Sequence, residues 1–139
     1  MSDFSRGVQN YELFLYTLAE QYPSVERSTL VLIRIAASMA RVRGELHFKN
    51  GIQIAVKERL IFDRLPLVID AYSYEIWRGN ELLCWYDSQP HPNDPSLQST
   101  HPHHKHLPPD IKHDRVPAPE MSFTRPNLPA LILEIENLG

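Results

Sequence analysis

The sequence predicts a single α+β domain that spans residues 1–139. Three observations predict this class. Apolar residues recur at helical spacing in 1–23, strand-like patterns joined by two tight turns fill 28–87, and a Pro- and His-rich stretch over 88–126 leads into a second helical stripe over 127–139. Apolar residues make up 42% of the chain, which is enough for a core without metals or disulfides.

The N-terminal segment has the pattern of an amphipathic helix. Ser5 is placed to cap this helix, and Pro23 is expected to end it. The apolar residues of its stripe are Val8, Tyr11, Phe14, Leu15 and Leu18.

The residues from 28 to 87 predict an antiparallel sheet of four to five strands. Thr29–Ile35 is an almost continuous β-branched and aliphatic run, which is typical of a well-buried strand. Arg41–Phe48 alternates instead, with Val42, Leu46 and Phe48 on one face. The two strands should therefore differ in how many of their faces are covered.

The first hairpin turns at residues 49–51. A two-residue Asn-Gly loop would place apolar and polar residues together, whereas a three-residue loop keeps one face apolar and puts Gly51 at the left-handed position. We therefore expect the three-residue loop, with Leu46 opposite Ile54. The same register places Glu58 on the apolar face, where a carboxylate needs a partner or a cavity.

The second hairpin turns at residues 79–80, where Gly79 precedes Asn80 and suits a type II′ turn. This loop pairs Ile76 with Leu83, Tyr74 with Trp85, and Tyr72 with Asp87. We therefore expect one face to read Tyr72, Tyr74, Ile76, Leu83, Trp85 and Asp87.

Beyond the sheet, proline dominates the chain. Residues 89–126 hold nine of the twelve prolines and no glycine, so we expect neither a regular helix nor a central strand there. Because this stretch also carries Ile111, Val116, Met121 and Phe123, we expect an ordered, extended strap packed on the sheet. Asn127 is expected to cap the final helix, whose stripe consists of Leu128, Leu131, Ile132, Ile135 and Leu138.

The strongest chemical signal is a cluster of histidines. Five histidines and Lys105 fall within the sixteen residues 91–106. Histidine near its own pKa exchanges protons at neutral pH, and lysine stabilises charge that develops on a phosphate. With a carboxylate to orient an imidazole, this set predicts a metal-independent acid–base site. Its candidate catalytic residues are Glu58, Asp87, His91, His103, His104, Lys105 and His106.

Two other interpretations use the same residues. Histidine is the commonest transition-metal ligand, so His101, His103, His104 and His106 are the alternative ligands of a zinc or nickel site. The sequence has no His-Glu-x-x-His helix and no cysteine pair to strengthen that interpretation. The third interpretation is structural, in which some of these histidines only bond backbone groups of the strap.

Charge and aromatic residues suggest where a substrate binds. The net charge of −3 excludes a globally basic nucleic-acid binder, but local patches matter more, and Arg41 and Arg43 are candidates to bind a polyanion. Tyr72 and Tyr86 are candidates to stack bases. Tyr74 and Trp85 are at least as well explained as cross-strand core pairs, and Cys84 as an inert buried thiol.

The order of these motifs resembles the TumE-type toxin family of toxin–antitoxin systems, in its cyanobacterial branch. The resemblance covers nearly the whole chain, and its two His-containing motifs are the specific part. It rests on Gly51 and Glu58, on Tyr72 and Tyr74, on Tyr86-Asp87 with Pro90-His91, and on Pro102-His103-His104-Lys105-His106.

The resemblance implies a growth-inhibiting toxin whose partner is a helix-turn-helix antitoxin. Action on RNA is our inference from the side chains, with one histidine deprotonating a ribose 2′-hydroxyl and another protonating the leaving oxygen. The alternative function is a non-catalytic metal-binding or protein-interaction module. Whether the chain forms a homodimer is left open. No signal peptide or membrane span is apparent, and Cys84 is the only cysteine, so we expect a cytoplasmic protein without a membrane segment.

Overall fold

A computed structural model describes residues 4–88, 103–111 and 114–138. Its described part is α+β, with helices at both ends of the chain and an antiparallel sheet between them. None of the described helices is both long and apolar enough to cross a membrane.

The predicted N-terminal helix is present but consists of shorter pieces. A single 3₁₀ turn, Phe4–Arg6, precedes α1 (Val8–Tyr16) and α2 (Leu18–Gln21). Between α1 and α2 the Thr17 hydroxyl donates to the carbonyl of Leu13 at 2.8 Å, a bond that competes with regular helix geometry and interrupts it.

Within the described residues the sheet has eight strands, more than the four to five expected. Two of the additional strands lie in the Pro- and His-rich segment, and another precedes the predicted first strand. The strands are β1 (Val25–Ser28), β2 (Val31–Ala36), β3 (Met39–Phe48), β4 (Ile52–Ile61), β5 (Val68–Arg78), β6 (Glu81–Asp87), β7 (His104–His106) and β8 (Arg115–Pro117). Strands β3 to β8 are neighbours in chain order, and β1 and β2 both pair with β3.

The register predicted for the first hairpin is confirmed. Leu46 lies opposite Ile54, and Glu58 lies opposite Val42. Gly51 has φ +88°, the left-handed conformation that the three-residue loop requires. The turn residues and the alternation of apolar residues predict the same register here, so local sequence was sufficient to predict it.

The register predicted for the second hairpin is wrong, and none of the three predicted pairs forms, although Arg78 and Trp77 next to the turn pair with Glu81 and Leu82. The shift falls between Ile76 and Trp77, so that Ile76 lies opposite Cys84 and Tyr74 opposite Tyr86. One extra residue in a strand moves every later side chain to the other face. Trp85 and Asp87 therefore leave the face on which they were expected, and Cys84 and Tyr86 take their places.

We call the face covered by the terminal helices the inner face. It carries Leu46, Ile54, Glu58, Tyr72 and Tyr86, whereas Arg41, Arg43, Lys57, Ser73 and Asp87 lie on the opposite, outer face. Helix α3 (Leu128–Leu138) buries Leu128, Leu131, Ile132 and Ile135 as predicted, but Leu138 is exposed.

Asn127 precedes α3 as expected, although its side chain does not follow the predicted capping pattern. Its Oδ1 accepts the N–H of Ser122, and its Nδ2 donates to the Tyr74 hydroxyl. In the strap, Met121 is buried and Phe123 packs on the core, while Val116 is exposed. Of these apolar strap residues, the two nearest the C-terminal helix therefore contact the core.

Strand β2 differs from its prediction as a well-buried strand. Leu32 is its only buried residue. Val31 and Ile33 lie opposite Arg43 and Arg41 on the outer face, away from the helices, and both are exposed. Composition alone did not distinguish a buried strand from an exposed one.

Candidate functional site

The predicted site residues are divided between the two faces of the sheet. Asp87, His104 and His106 lie on the outer face with Arg41 and Arg43. Glu58, Tyr72, Tyr86 and Lys105 lie on the inner face. His103 directly precedes β7, and His91 and His101 are outside the described residues.

Two rows of cations cross the outer face. Arg41 lies directly opposite Arg59, and Arg43 directly opposite Lys57, and all four side chains are exposed. Like charges in directly opposed positions destabilise a sheet. Among the residues that the structure describes, only Arg59 of these four has an ion-pair partner, Asp70, whose carboxylate its Nε contacts at 2.6 Å.

Lys57 and Arg59 were not among the residues predicted from the sequence. The predicted register of the first hairpin was sufficient to find them, because it places these residues opposite Arg43 and Arg41. A single basic strand is weak evidence for a polyanion site, whereas two facing basic strands are stronger evidence.

A cavity of about 250 Å³ opens beside these cations. It is lined by the four basic side chains, by Glu58 of β4, by Ala71, Tyr72 and Ser73 of β5, and by Ser88, which follows β6. Strand β6 ends at Asp87, and Ser88 continues the pairing through bonds to the backbone of Tyr72. The cavity therefore combines positive charge with hydroxyl groups.

Tyr72, which lines this cavity, is bonded to His103. The Tyr72 hydroxyl lies 2.6 Å from His103 Nδ1, the two rings stack, and Phe123 packs against the imidazole. Burial raises the pKa of Tyr72, and the nearby Asp87 and Glu120 carboxylates raise it further. The phenol thus stays protonated at neutral pH, and its hydroxyl donates to Nδ1 or accepts from it according to the imidazole tautomer.

Asp87 lies between two imidazoles on the outer face. Its Oδ1 is 3.6 Å from His104 Nδ1, and its Oδ2 is 3.3 Å from His106 Nε2. All three side chains are buried, His106 stacks on Trp85, and His106 Nδ1 is 3.0 Å from the carbonyl of Ile111. This buried cluster joins β6 to β7 and so fixes the position of the neighbouring His103.

Glu58 is the centre of a buried network on the inner face. The hydroxyls of Tyr11 and Tyr74 donate to its two carboxylate oxygens at 2.6 and 2.5 Å, and Asn127 donates to the Tyr74 hydroxyl at 3.1 Å. Burial raises the pKa of Glu58, and the two phenol hydrogen bonds act in the opposite direction. The carboxylate predicted to need a partner has two.

Lys105 and Tyr86 share one carboxylate of α3. Glu134 accepts from the Tyr86 hydroxyl at 2.7 Å and from Lys105 Nζ at 3.2 Å. Burial and the Glu134 carboxylate both raise the pKa of Tyr86, whose side chain is only 1% exposed. Lys105 therefore lies on the opposite side of β7 from His104 and His106, and base stacking by Tyr86 stays an untested prediction.

No group of three or more His, Cys, Asp or Glu side chains in residues 4–88, 103–111 and 114–138 is arranged to hold a metal ion. Of the alternative ligands, His104 and His106 are on the outer face, and His103 contacts Tyr72. His101 lies outside the described residues. The zinc or nickel alternative accordingly depends on a residue that the structure does not describe.

Comparison with known proteins identifies one family. The sequence matches the family described as toxin TumE over residues 15–138, which includes every candidate site residue. No curated protein sequence and no solved structure matches the chain. The match covers most of the 139 residues. The chain therefore belongs to the TumE toxin family, and it is a toxin of a toxin–antitoxin system with an antitoxin as its partner.

Proposed function

We propose that this toxin cleaves RNA at the cavity beside the outer-face cations by metal-independent acid–base catalysis. The observation that carries the proposal is a cavity of about 250 Å³ lined by four outer-face cations and by Tyr72, an inner-face residue whose hydroxyl bonds His103. A phosphodiester needs positive charge to hold it and a group that moves protons beside it.

The four cations supply the binding step. Arg41, Arg43, Lys57 and Arg59 are exposed and line the same cavity, so several can contact neighbouring phosphates of one strand. Arginine binds phosphate through two parallel hydrogen bonds, which fixes the orientation of the backbone as well as its position. We assign the phosphate contact to these residues instead of Lys105, because Glu134 already neutralises that ammonium on the inner face.

The chemical step follows from the attack of a ribose 2′-oxygen on the adjacent phosphorus. A base removes the 2′-hydroxyl proton, the new oxygen–phosphorus bond forms, and the bond to the 5′-oxygen breaks as that oxygen takes a proton from an acid. The products are a 2′,3′-cyclic phosphate and a 5′-hydroxyl. We propose that His103 carries out one of these proton transfers, with Tyr72 holding its ring.

The second proton transfer belongs to another of the predicted histidines. His104 and His106 are buried with Asp87, and His104 directly follows His103 in the chain. This arrangement supports a positioning role for the cluster. His91 and His101 are the remaining candidates, and both lie outside the described residues.

The test is cleavage of a mixed RNA by the purified toxin in excess EDTA. Replacing His103 with Ala should lower the rate by about 10²-fold or more, the usual contribution of an acid–base group. Tyr72→Phe should lower it less, because the imidazole stays and only its hydrogen bond is lost. His47→Ala is the matched control, since His47 pairs with Glu45 away from the cavity, and its rate should equal that of the wild type.

A growth assay in cells gives an independent test. Expression of the wild type should slow growth, and a double His103→Ala, His106→Ala variant should not. Equal rates for wild type and His103→Ala would remove His103 from the mechanism. Cleavage that EDTA abolishes and zinc or nickel restores would contradict the metal-independent mechanism. Zinc or nickel bound to a toxin that cleaves no RNA would support the non-catalytic metal-binding alternative.

A further inference from the structure

We infer that the antitoxin binds across the outer face of the sheet. Aliphatic side chains of the antitoxin contact β2, and its carboxylates pair with the neighbouring cations. The part of this inference in which the antitoxin covers the RNA site rests on the function proposed above. The binding surface itself rests on the exposure and register of β2, β3 and β4.

The first observation is an exposed row of β-branched residues. Val31, Ile33 and Ile35 are 44%, 48% and 41% exposed, respectively, on the strand that was expected to be buried. Single exposed aliphatic residues are common on protein surfaces, whereas adjacent ones mark candidate contact surfaces. Nothing in the described residues covers this row.

The second observation is that this row borders the cations. Val31 lies directly opposite Arg43, and Ile33 directly opposite Arg41, so the aliphatic row on β2 borders the basic rows of β3 and β4 on one face. A partner that fits this surface presents aliphatic side chains next to carboxylates. Both kinds of contact are then made by one short segment.

Hydrogen bonding indicates that the partner binds the face and not the edge of β2. An added strand needs free backbone donors along the edge. The N–H of Leu32 already donates to the Tyr16 hydroxyl at 3.0 Å, and the N–H of Leu30 donates to Ser28 Oγ at 3.3 Å. Two of the donors that strand addition would use are therefore occupied.

Charge favours the antitoxin over two other candidate occupants of this surface, a second copy of this chain and RNA. A second copy of this chain would bring a second set of the same four cations to the contact, which is unfavourable. RNA would use the cations but would gain little from the aliphatic row. A protein segment with acidic and aliphatic residues is complementary to both parts of the surface.

The test measures the affinity of the toxin for the antitoxin after the two are co-expressed, purified and separated. Val31→Thr with Ile33→Thr keeps β-branched side chains, and thus the strand, but replaces a methyl group of Val31 and the ethyl group of Ile33 by a hydroxyl. We expect this double variant to bind the antitoxin about tenfold more weakly, while its RNA cleavage without antitoxin stays unchanged. Leu133→Thr is the control, because Leu133 is 60% exposed on α3, and it should bind like the wild type.

A second variant tests the charged half of the surface. Arg43→Gln with Lys57→Gln should weaken antitoxin binding and make the remaining affinity less dependent on salt. The affinity is read without any RNA, so a toxin that cleaves no RNA defeats the proposed function but leaves this test intact.

Three outcomes overturn the inference. Unchanged antitoxin affinity in the Val31→Thr, Ile33→Thr variant would exclude the aliphatic row as a contact. Loss of RNA cleavage by that same variant would show that RNA uses the row. A toxin homodimer that dissociates when the row is changed would assign the surface to a second copy.

Discussion

The two faces of the sheet treat charged side chains in opposite ways. On the inner face, Glu58 is buried and each of its carboxylate oxygens receives a phenol hydroxyl. On the outer face, Arg41 and Arg43 lie opposite Arg59 and Lys57, with Asp70 as the one carboxylate that pairs with any of these four within the described residues. The inner charge is satisfied by hydrogen bonds from the chain itself, whereas the outer cations are exposed to solvent and accessible to a ligand. Residues of both faces line one cavity. We expect the inner-face residues to support the fold and the outer-face cations to bind the ligand.

The largest expected effect is on the inner face. Glu58→Ala leaves the hydroxyls of Tyr11 and Tyr74 buried without an acceptor, and each such group costs about 1–3 kcal/mol. The free energy of unfolding, measured with urea, should therefore fall by roughly 2–6 kcal/mol. A loss below about 1 kcal/mol would mean that the network does not support the fold.

Glu58→Gln sharpens this result through pH. Because burial raises the pKa of Glu58, the folded state binds a proton more tightly than the unfolded state does. The contribution of Glu58 to stability is then greatest below the ordinary glutamate pKa, about 4.3, and is lost as pH rises through the raised pKa. The stability difference between wild type and Glu58→Gln should fall as pH rises from 4 upward. A difference that does not change with pH would contradict the pKa direction.

The next effect is smaller and has the opposite sign. Arg43→Thr and Lys57→Thr each remove one member of a directly opposed like-charge pair, so each should raise the free energy of unfolding by about 0.2–1 kcal/mol. The same changes should reduce RNA binding and lower the slope of log affinity against log salt by about 1 for each lost contact. If the two variants were less stable than the wild type and bound RNA equally well, the outer-face cations would stabilise the fold and would not bind RNA, which contradicts the proposed difference between the faces.

The smallest effect concerns Cys84 and tests which face it occupies. Burial, with a contribution from the Glu134 carboxylate, raises the pKa of Cys84 to about 11, although Lys105 acts in the opposite direction. At pH 8 the native thiol should react with iodoacetamide roughly 100-fold more slowly than the unfolded chain, with no change in stability. Equal rates in native and unfolded protein would place Cys84 on an accessible surface.

The two hairpins show what could be predicted locally. At residues 49–51 the turn type and the alternation of apolar residues agreed, and the predicted register is correct. At 79–80 the turn was also informative, but the register shift between Ile76 and Trp77 exchanged the faces of Trp85 and Tyr86. That exchange is accompanied by a contact 48 residues away, because Tyr86 donates to Glu134 of α3. No local pattern contains that information.

By itself the sequence determined the fold class, the first hairpin, the need of Glu58 for partners, and the family through its histidine motifs. These depend on periodicity, turn residues and residue order, which act over short stretches of chain. Only the tertiary structure decided that Asp87 joins His104 and His106, that Lys105 lies on the other face, and that Lys57 and Arg59 complete the cation rows. The physical reason is that a side chain's face depends on every bulge before it, and its burial depends on which distant helix packs over that face.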